Sequence, residues 1–176
     1  MKTCDKKYLL KLARYCIACC FDKCETTPEK VPKSLKEKRG VFVTLTKNRH
    51  LRGCIGYLEP IKPIAEAVVE NAVNAAFRDT RFPPVRLNEL KDIKIEISIL
   101  TVPKPVASHE KIRPGKDGVI LRQGFAEATF LPQVWQQLPD KERFLSELSM
   151  KAGLHPDAWL DSKTKFETYQ VEEFNE

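Results

Sequence analysis

The sequence predicts an α+β domain built on a mainly antiparallel sheet that is flanked by helices. Two pairs of short strand-like segments are each joined by a tight turn: GVFVTLT with HLRGCIGYL, and VILR with FAEATFL. The segment IKIEISIL, residues 93–100, alternates isoleucine with mostly polar residues, as a half-buried strand does. Hairpins give antiparallel pairs, and the strict strand–helix alternation of a doubly wound parallel sheet is absent.

Length and composition predict one ordinary globular domain over residues 1–176. The chain is long enough for a proper hydrophobic core, and 42% apolar with 31% charged residues is typical of folded proteins. No apolar run approaches the ~20 residues of a membrane span, and the first residues lack the continuous apolar core of a signal peptide. We therefore expect a cytoplasmic protein without a membrane segment.

The charge pattern favours a solvated basic surface over a nucleic-acid patch. The formal net charge is +6, and lysines and arginines concentrate between residues 30 and 52. Glu29 and Glu37 interrupt this stretch, and aromatic residues that stack on bases are sparse in it. Nucleic acid is therefore not the expected partner.

The N-terminal segment, residues 1–27, is predicted to hold a helix, and residues 28–39 a charged loop with prolines. Apolar residues recur at helical spacing over residues 6–24, and three of the six cysteines, Cys16, Cys19 and Cys20, belong to that stripe. Without an export signal we expect free thiols that pack as small hydrophobes. No metal site and no cofactor are predicted, although these cysteines and Cys24 superficially resemble a metal cluster.

The remaining elements form a core over residues 40–176 with a repeated order. A helix is expected after Pro63, a short helix from Pro132 and a longer one over about 140–152, with a last strand near the end, KFETYQVEEF. Hairpin, helix and strand thus occur from residue 40 to 100 and again from 118 to 174. This order resembles an internal hairpin–helix–strand duplication, but sequence identity between the halves is slight, so the repeat is a pattern of elements and not a proven duplication.

The stretch HLRGCIG, residues 50–56, holds the first candidate site. On an unbent strand His50, Arg52, Cys54 and Gly56 share one face, while Leu51 and Ile55 face the core. Arg52 then lies about 6.5–7 Å from Cys54 and favours its thiolate, whereas His50, about 13 Å away, is too distant to act as its base. Glycines in a strand also mark bulges or close packing, so a purely structural role of the motif stays open.

Further polar residues are candidates for the same site. Asn71 and Arg78 project from one edge of the predicted helix, and Asp79 and Arg81 follow its end. Glu96 and Ser98 share the polar face of the isoleucine-rich strand. Each has an ordinary structural explanation on its own, and the sequence leaves open whether they converge.

A set of motifs resembles one known family. These are LRGCIGYLEPIKPI, ENAVNAAFRDTRFPPV, IEISIL, GKDGVIL, TFLPQVWQQLPDKERFL and KAGLHPDAW. From about residue 40 onward the chain resembles the AMMECR family, and it is similar to the stand-alone prokaryotic members called AmmeMemoRadiSam system protein A. The family pattern keeps the positions held here by Asn71, Arg78, Asp79, Arg81, Phe82, Pro83, Glu96, Ser98, Pro132 and Gln133.

The resemblance implies a compact α+β fold with a larger and a smaller lobe and a cleft between them. It also implies an association with a Memo-like protein and a radical S-adenosylmethionine protein. The family has no settled biochemical activity, so the resemblance predicts the fold and leaves the reaction open.

Two hypotheses about function follow. In the first, the cleft binds or transforms a small anionic molecule. Cys54 is then the nucleophile and Glu96 the proton-transfer group, and the binding residues are Arg52, Asn71, Arg78, Asp79, Arg81, Ser98 and Gln133. In the second, the domain is a non-catalytic module that docks a partner protein or, in second place, nucleic acid through Arg52, Arg81 and the basic stretch 30–52.

Overall fold

The computed structural model describes residues 1–22 and 30–176, and within them it has the predicted α+β architecture. The helices are α1 (Thr3–Cys19), α2 (Ile64–Phe77) and α3 (Lys141–Lys151). The strands are β1 (Val41–Lys47), β2 (His50–Tyr57), β3 (Ile93–Leu100), β4 (Lys104–Val106), β5 (Gly118–Gln123), β6 (Ala126–Phe130), β7 (Lys165–Tyr169) and β8 (Val171–Asn175).

The strands form two four-stranded antiparallel sheets with the same internal order. The first sheet runs β2-β1-β3-β8 and the second β6-β5-β7-β4. In each, a hairpin supplies the first two strands and the strand after the helix comes third, so the predicted repeat is present as an order of elements. The fourth strands are exchanged: β8 follows the second repeat in the chain but joins the first sheet, and β4 follows the first repeat but joins the second sheet.

The chain divides into two compact units, each with its own core. The first unit comprises residues 1–100 and 172–176, and the second comprises residues 101–171. In the first, α1 and α2 pack against one face of the sheet, and this core includes Val43, Leu45 and Ile97. In the second, Phe144 of α3 packs among strand residues and stacks on Trp135.

The hairpin and helix boundaries follow from local chemistry. Asn48 and Arg49 form the two-residue turn between β1 and β2, and both have positive φ, as a type I′ turn requires. Asp140 caps α3 by accepting the N–H of Arg143 at 2.8 Å, and Gly153 beyond its end has a φ of 77°.

The N-terminal helix differs in part from its prediction. It ends at Cys19, and residues 23–27 of the expected segment, including Cys24, lie outside the described residues. The buried stripe is formed by Leu9, Leu12, Ala13 and Ile17, whereas Cys16 is half-buried and Cys20 exposed. The cysteines therefore lie at the border of the apolar face rather than in its centre.

The expectation of free thiols is wrong for one cysteine. Cys4, Cys16, Cys20 and Cys54 are free, but Cys19 is disulfide-bonded. Among residues 1–22 and 30–176, no group of three or more histidine, cysteine or acidic side chains is placed to hold a metal ion. No helix in the same ranges combines the length and apolarity needed to cross a bilayer.

The segment expected as the last strand is in fact two strands. KFETYQVEEF is divided at Gln170, so that β7 belongs to the second sheet and β8 to the first. The short strand β4, within a proline-rich connection, was not predicted. At the division the Thr101 N–H donates to the Gln170 carbonyl at 2.9 Å, and the Gln170 N–H donates to the Thr101 hydroxyl at 2.9 Å.

Candidate functional site

A β-bulge at Arg52 determines how the LRGCIG motif presents its side chains. Leu45 of β1 lies opposite Gly53, but the next residue, Thr46, lies opposite Leu51, so Arg52 has no partner across the strand pair. One extra residue in a strand shifts the alternation of all that follows by one position. Residues on the two sides of Arg52 therefore do not alternate as they would on a regular strand.

The bulge corrects the faces expected for an unbent strand. Residues directly opposite each other share a face, so Leu51 lies on the same face as Cys54, while His50 shares the other face with Ile55. Leu51 is 44% exposed and does not face the core. We call the side of the first sheet opposite α2 its polar face, defined by Cys54, Thr44 and Glu96.

Cys54 lies in the middle of β2, half-buried, with its side chain next to a hydroxyl. Thr44 is its partner across the strand pair, and the Thr44 hydroxyl donates to Cys54 Sγ at 3.3 Å. The hydroxyl thus fixes the position of the sulfur, which is the nucleophilic atom of a cysteine.

Asp79 and Arg81 hold the backbone of Cys54 from the edge of the sheet. Asp79 Oδ2 accepts the Cys54 N–H at 2.8 Å, and Arg81 Nη2 donates to the Cys54 carbonyl at 3.1 Å. Arg81 also forms a bidentate pair with Asp79, with Nε–Oδ1 at 2.9 Å and Nη2–Oδ2 at 2.7 Å. The two side chains thus take the place of a neighbouring strand at this point of β2.

Asp79 and Arg81 stabilise each other in their charged forms. Hydrogen bonds from the Arg81 guanidinium, and secondarily from the Cys54 and Arg81 N–H groups, hold the pKa of the buried Asp79 well below its usual range despite desolvation. The pKa of Arg81 is raised, chiefly by Asp79 and to a smaller extent by the nearby Cys54 side chain. The Arg81 side chain remains 55% exposed, so its guanidinium is open to a ligand.

Glu96 continues the row that begins at Cys54. Thr44 lies opposite Cys54 on one side and opposite Glu96 on the other, so the three residues follow one another across three adjacent strands. Burial, together with the hydrogen bond and charge of Glu173 on β8, raises the pKa of Glu96 to about 7, against a smaller opposing contribution from Asn175. Near neutral pH this carboxyl is divided between its acid and base forms.

Arg52 belongs to a different group of side chains. Its Nη2 donates to Glu89 Oε2 at 3.0 Å and to the Pro84 carbonyl at 3.3 Å, and its Nε donates to Glu89 Oε1 at 3.3 Å. Lys47 Nζ also donates to Glu89 at 2.9 Å. Arg52 is therefore held by Glu89, and the arginine beside Cys54 is Arg81.

The two glycines of the motif have packing roles. A Cβ on Gly53 would lie 2.1 Å from the carbonyl oxygen of Ala75 in α2, so only glycine allows this approach of helix and strand. A Cβ on Gly56 would lie 2.4 Å from the ring of Phe42, which covers it. The two glycines of the LRGCIG motif therefore have the structural role, close packing, that the sequence left open.

The other candidate residues are placed as follows. Ser98 is buried and lies on the same face of β3 as Glu96. Asn71 is buried on α2 and donates to the Val41 carbonyl at 3.0 Å, within the core of the first unit. Arg78 is exposed at the end of α2. Gln133 lies in the 3-10 helix Pro132–Gln136 of the second unit.

Sequence reasoning missed four residues of these arrangements: Thr44, Lys47, Glu89 and Glu173. Thr44 was visible in the alternation of GVFVTLT, which puts it on the face opposite the valines. Its pairing with Cys54 depends on the bulge, and Glu173 reaches Glu96 only through the exchanged strand β8. No local signal marks Glu89.

Comparison with known proteins gives a family for the whole fold. The AMMECR1 family model matches residues 10–174. A protein of Methanothermobacter thermautotrophicus is 45% identical over 156 residues, covering 85% of this chain and 81% of the relative. A protein of Methanopyrus kandleri is 44% identical over 183 residues, covering 98% and 88%.

A solved structure has the same fold. The crystal structure of an uncharacterized protein from Pyrococcus horikoshii matches with a TM-score of 0.85 and 39% identity, over 100% of this chain and 93% of that chain. The family model and these relatives cover both sheets and the LRGCIG motif. The chain belongs to the AMMECR1 family.

Proposed function

We propose that the polar face of the first sheet carries a cysteine-centred site that binds and transforms a small anionic molecule. The single observation that carries this proposal is the row of Cys54, Thr44 and Glu96 across three adjacent strands. It brings a thiol, a hydroxyl and a carboxyl with a pKa of about 7 onto one surface.

The spacing of the row assigns separate roles to its ends. Neighbouring strands lie about 4.8 Å apart, so Cys54 and Glu96 are about 10 Å apart at their backbones. Glu96 is therefore too distant to take the thiol proton directly, and a ligand that lies over Thr44 reaches both residues. The exposed Arg81 guanidinium supplies the contact for the negative charge of the ligand.

The simplest reaction for these groups is hydrolysis through a covalent adduct. The Cys54 thiolate forms a C–S bond to an electrophilic carbon, and the leaving group departs with its bonding electrons and takes the proton of Glu96. In the second step the Glu96 carboxylate takes a proton from water as the water oxygen attacks the same carbon. The C–S bond breaks, and its electrons return to sulfur.

The cellular setting of this activity is proposed from the family alone. We infer that the protein acts in the cytoplasm, in one pathway with a Memo-like protein and a radical S-adenosylmethionine protein. The support is membership of the AMMECR1 family together with the resemblance to AmmeMemoRadiSam system protein A.

A second candidate is a docking module without catalysis. Its support is a set of exposed basic residues, among them Lys33, Lys36, Arg49 and Arg81. Arg52 weakens this candidate, because it is 12% exposed and already bonded to Glu89. Charge reversal in Arg81→Glu is expected to abolish docking of a partner protein, whereas Cys54→Ser leaves it intact.

Paired alkylation reagents test the first proposal. Iodoacetate and iodoacetamide react with thiols in the same way but differ in charge, and mass spectrometry reports each cysteine separately. We expect Cys54 to favour iodoacetate over iodoacetamide more strongly than the exposed Cys20 does, and Arg81→Gln to remove that difference. If Cys54 shows the reagent preference of Cys20, and Cys54→Ser leaves the product of the pathway unchanged, the nucleophile assignment is wrong.

A further inference from the structure

A surface pocket of about 310 Å³ lies in the first unit, and its lining does not include the residues that define the polar face. This volume is at the lower end of the range of small-ligand sites. Three basic residues and one carboxylate give its lining a formal charge of two positive units. The lining residues are Lys47, Arg52, Pro83, Pro84, Arg86, Asn88 and Glu89.

Glu89 organises the cations of this pocket. Its carboxylate accepts from Lys47 and Arg52, and Oε2 also accepts the N–H of Arg86 at 3.0 Å. The hydrogen bonds from Arg52 and then from Lys47 lower the pKa of Glu89 to about 2, so it is ionised throughout the neutral range. One carboxylate thus orients two cations and leaves an excess of positive charge.

One donor of Arg52 is left over. Nε and Nη2 bond to Glu89 and Pro84, but Nη1 is buried and has no hydrogen-bond partner within the described part of the chain. A buried donor without an acceptor costs about 1–3 kcal/mol, and folded proteins seldom leave one. Because Nη1 is closed to solvent, it is not a contact for a ligand in the pocket, and the cationic side chains open to one are Lys47, 33% exposed, and the exposed Arg86.

We propose that this pocket binds the phosphate group of a small phosphorylated molecule. A phosphate monoester carries a charge of about −1.5 to −2 near pH 7, which matches the excess of the lining, whereas a single carboxylate does not. Its oxygens accept from the Arg86 guanidinium and the Lys47 ammonium, which uses one of its three N–H groups for Glu89, while the buried Arg52 adds its charge. Cys54, Thr44 and Glu96 are not part of the lining, so the inference is independent of the proposed function.

The test is a calorimetric titration of the full chain, in phosphate-free buffer, with inorganic phosphate and with phenyl phosphate. We expect saturable binding that Arg86→Gln and Lys47→Gln each weaken by about tenfold, as loss of a charged hydrogen bond does. The Arg86 side chain is exposed, and its contact with Glu89 is a hydrogen bond from the backbone N–H. Arg86→Gln therefore keeps that hydrogen bond. Lys116→Gln, which removes one exposed charge in the second unit, is the matched control and leaves binding unchanged.

Four results would overturn the assignment. Absence of saturable binding by both probes excludes a phosphate site. Equal weakening in Lys116→Gln means that general surface charge holds the anion. Tighter binding of acetate than of phosphate, or binding of a single-stranded RNA without binding of phenyl phosphate, assigns the pocket to another class of ligand. Alkylation of Cys54 is a separate measurement and is unaffected by any of these outcomes.

Discussion

Thr44 and Cys54 face each other across β1 and β2, with the Thr44 hydroxyl donating to Cys54 Sγ at 3.3 Å. The N–H and C=O of Cys54 bond to Asp79 and Arg81 at the edge of the sheet, so this is a pair without backbone hydrogen bonds between its members. In antiparallel sheets such pairs bring their side chains closest together. The contact between hydroxyl and sulfur is therefore a consequence of the strand register.

Removal of that hydroxyl is expected to slow alkylation of Cys54. In Thr44→Val the thiolate loses a hydrogen bond worth about 0.5–1.5 kcal/mol, so the rate with iodoacetamide at pH 7 falls by about two- to tenfold. Thr46→Val is the control, because Thr46 lies on the same face but opposite Leu51. The rate is measured by mass spectrometry of the peptide that contains Cys54. Equal rates in the two variants would show that the hydroxyl does not affect the sulfur.

Loss of the Asp79 carboxylate is expected to loosen β2 at Cys54. Asp79→Ala leaves the Cys54 N–H without its acceptor and Arg81 without its partner, which costs about 2–4 kcal/mol of unfolding free energy. The rate of amide hydrogen exchange is expected to increase more at Cys54 than at neighbouring residues. Asp92→Ala, at an exposed position before β3, changes neither quantity.

The Asp79 carboxylate also makes the free energy of unfolding depend on pH in the acidic range. The pKa of Asp79 is lower in the folded protein than in the unfolded chain, where it is near 3.8. Its contribution is complete above that unfolded value and is lost as the pH falls below it. The stability difference between wild type and Asp79→Ala thus narrows in acid, and a constant difference would contradict the assignment.

Glu96 is expected to give stability the opposite pH dependence to that of Asp79. Its pKa is raised from 4.5 to about 7, so folding favours the protonated form, and the native state loses stability as the pH rises between these values. Glu96→Gln removes this loss and gains about 1–2 kcal/mol relative to wild type at pH 8, less than the full shift because solvent screens part of it. Urea unfolding from pH 4 to 8 measures the effect, with exposed Glu59→Gln as control. Parallel curves for wild type and Glu96→Gln would contradict it.

Gly53→Ala is expected to destabilise the first unit. The new methyl group would meet the Ala75 carbonyl oxygen at 2.1 Å, and helix backbone does not yield as a flexible side chain does. Overpacking of this kind costs about 1–3 kcal/mol. Thermal unfolding measures the loss, and Ala75→Gly in the same chain does not restore it because the obstacle is backbone. An unchanged melting temperature would mean that α2 does not approach β2 this closely.

The elements that could be predicted from sequence are those whose signal is local. IKIEISIL alternates over its whole length, and the register of β3 places its isoleucines in the core with Glu96 and Ser98 together on the opposite face. The turn at Asn48 and Arg49 is likewise encoded by a few residues. These features depend on backbone geometry and side-chain burial within one or two strands.

What could not be predicted depends on contacts between distant segments. The bulge at Arg52 directs this side chain to Glu89, 37 positions later, and makes Arg81 the neighbour of Cys54. A pattern of alternation contains no sign of an inserted residue. The prediction for an unbent strand therefore placed Arg52, rather than Arg81, beside the Cys54 thiol. The division of KFETYQVEEF at Gln170 has the same origin, because the partners of its two halves lie in different sheets.

The exchange of β4 and β8 affects how the chain must fold as it is made. When a ribosome has released residues 1–100, the first sheet has only three strands, and one side of β3 has no strand beside it. This edge of β3 stays exposed while residues 101–170 are synthesised. Exposed sheet edges can pair with the wrong segment. The unit that begins first is therefore the last to be completed, and Glu96 acquires its partner Glu173 only at that final step.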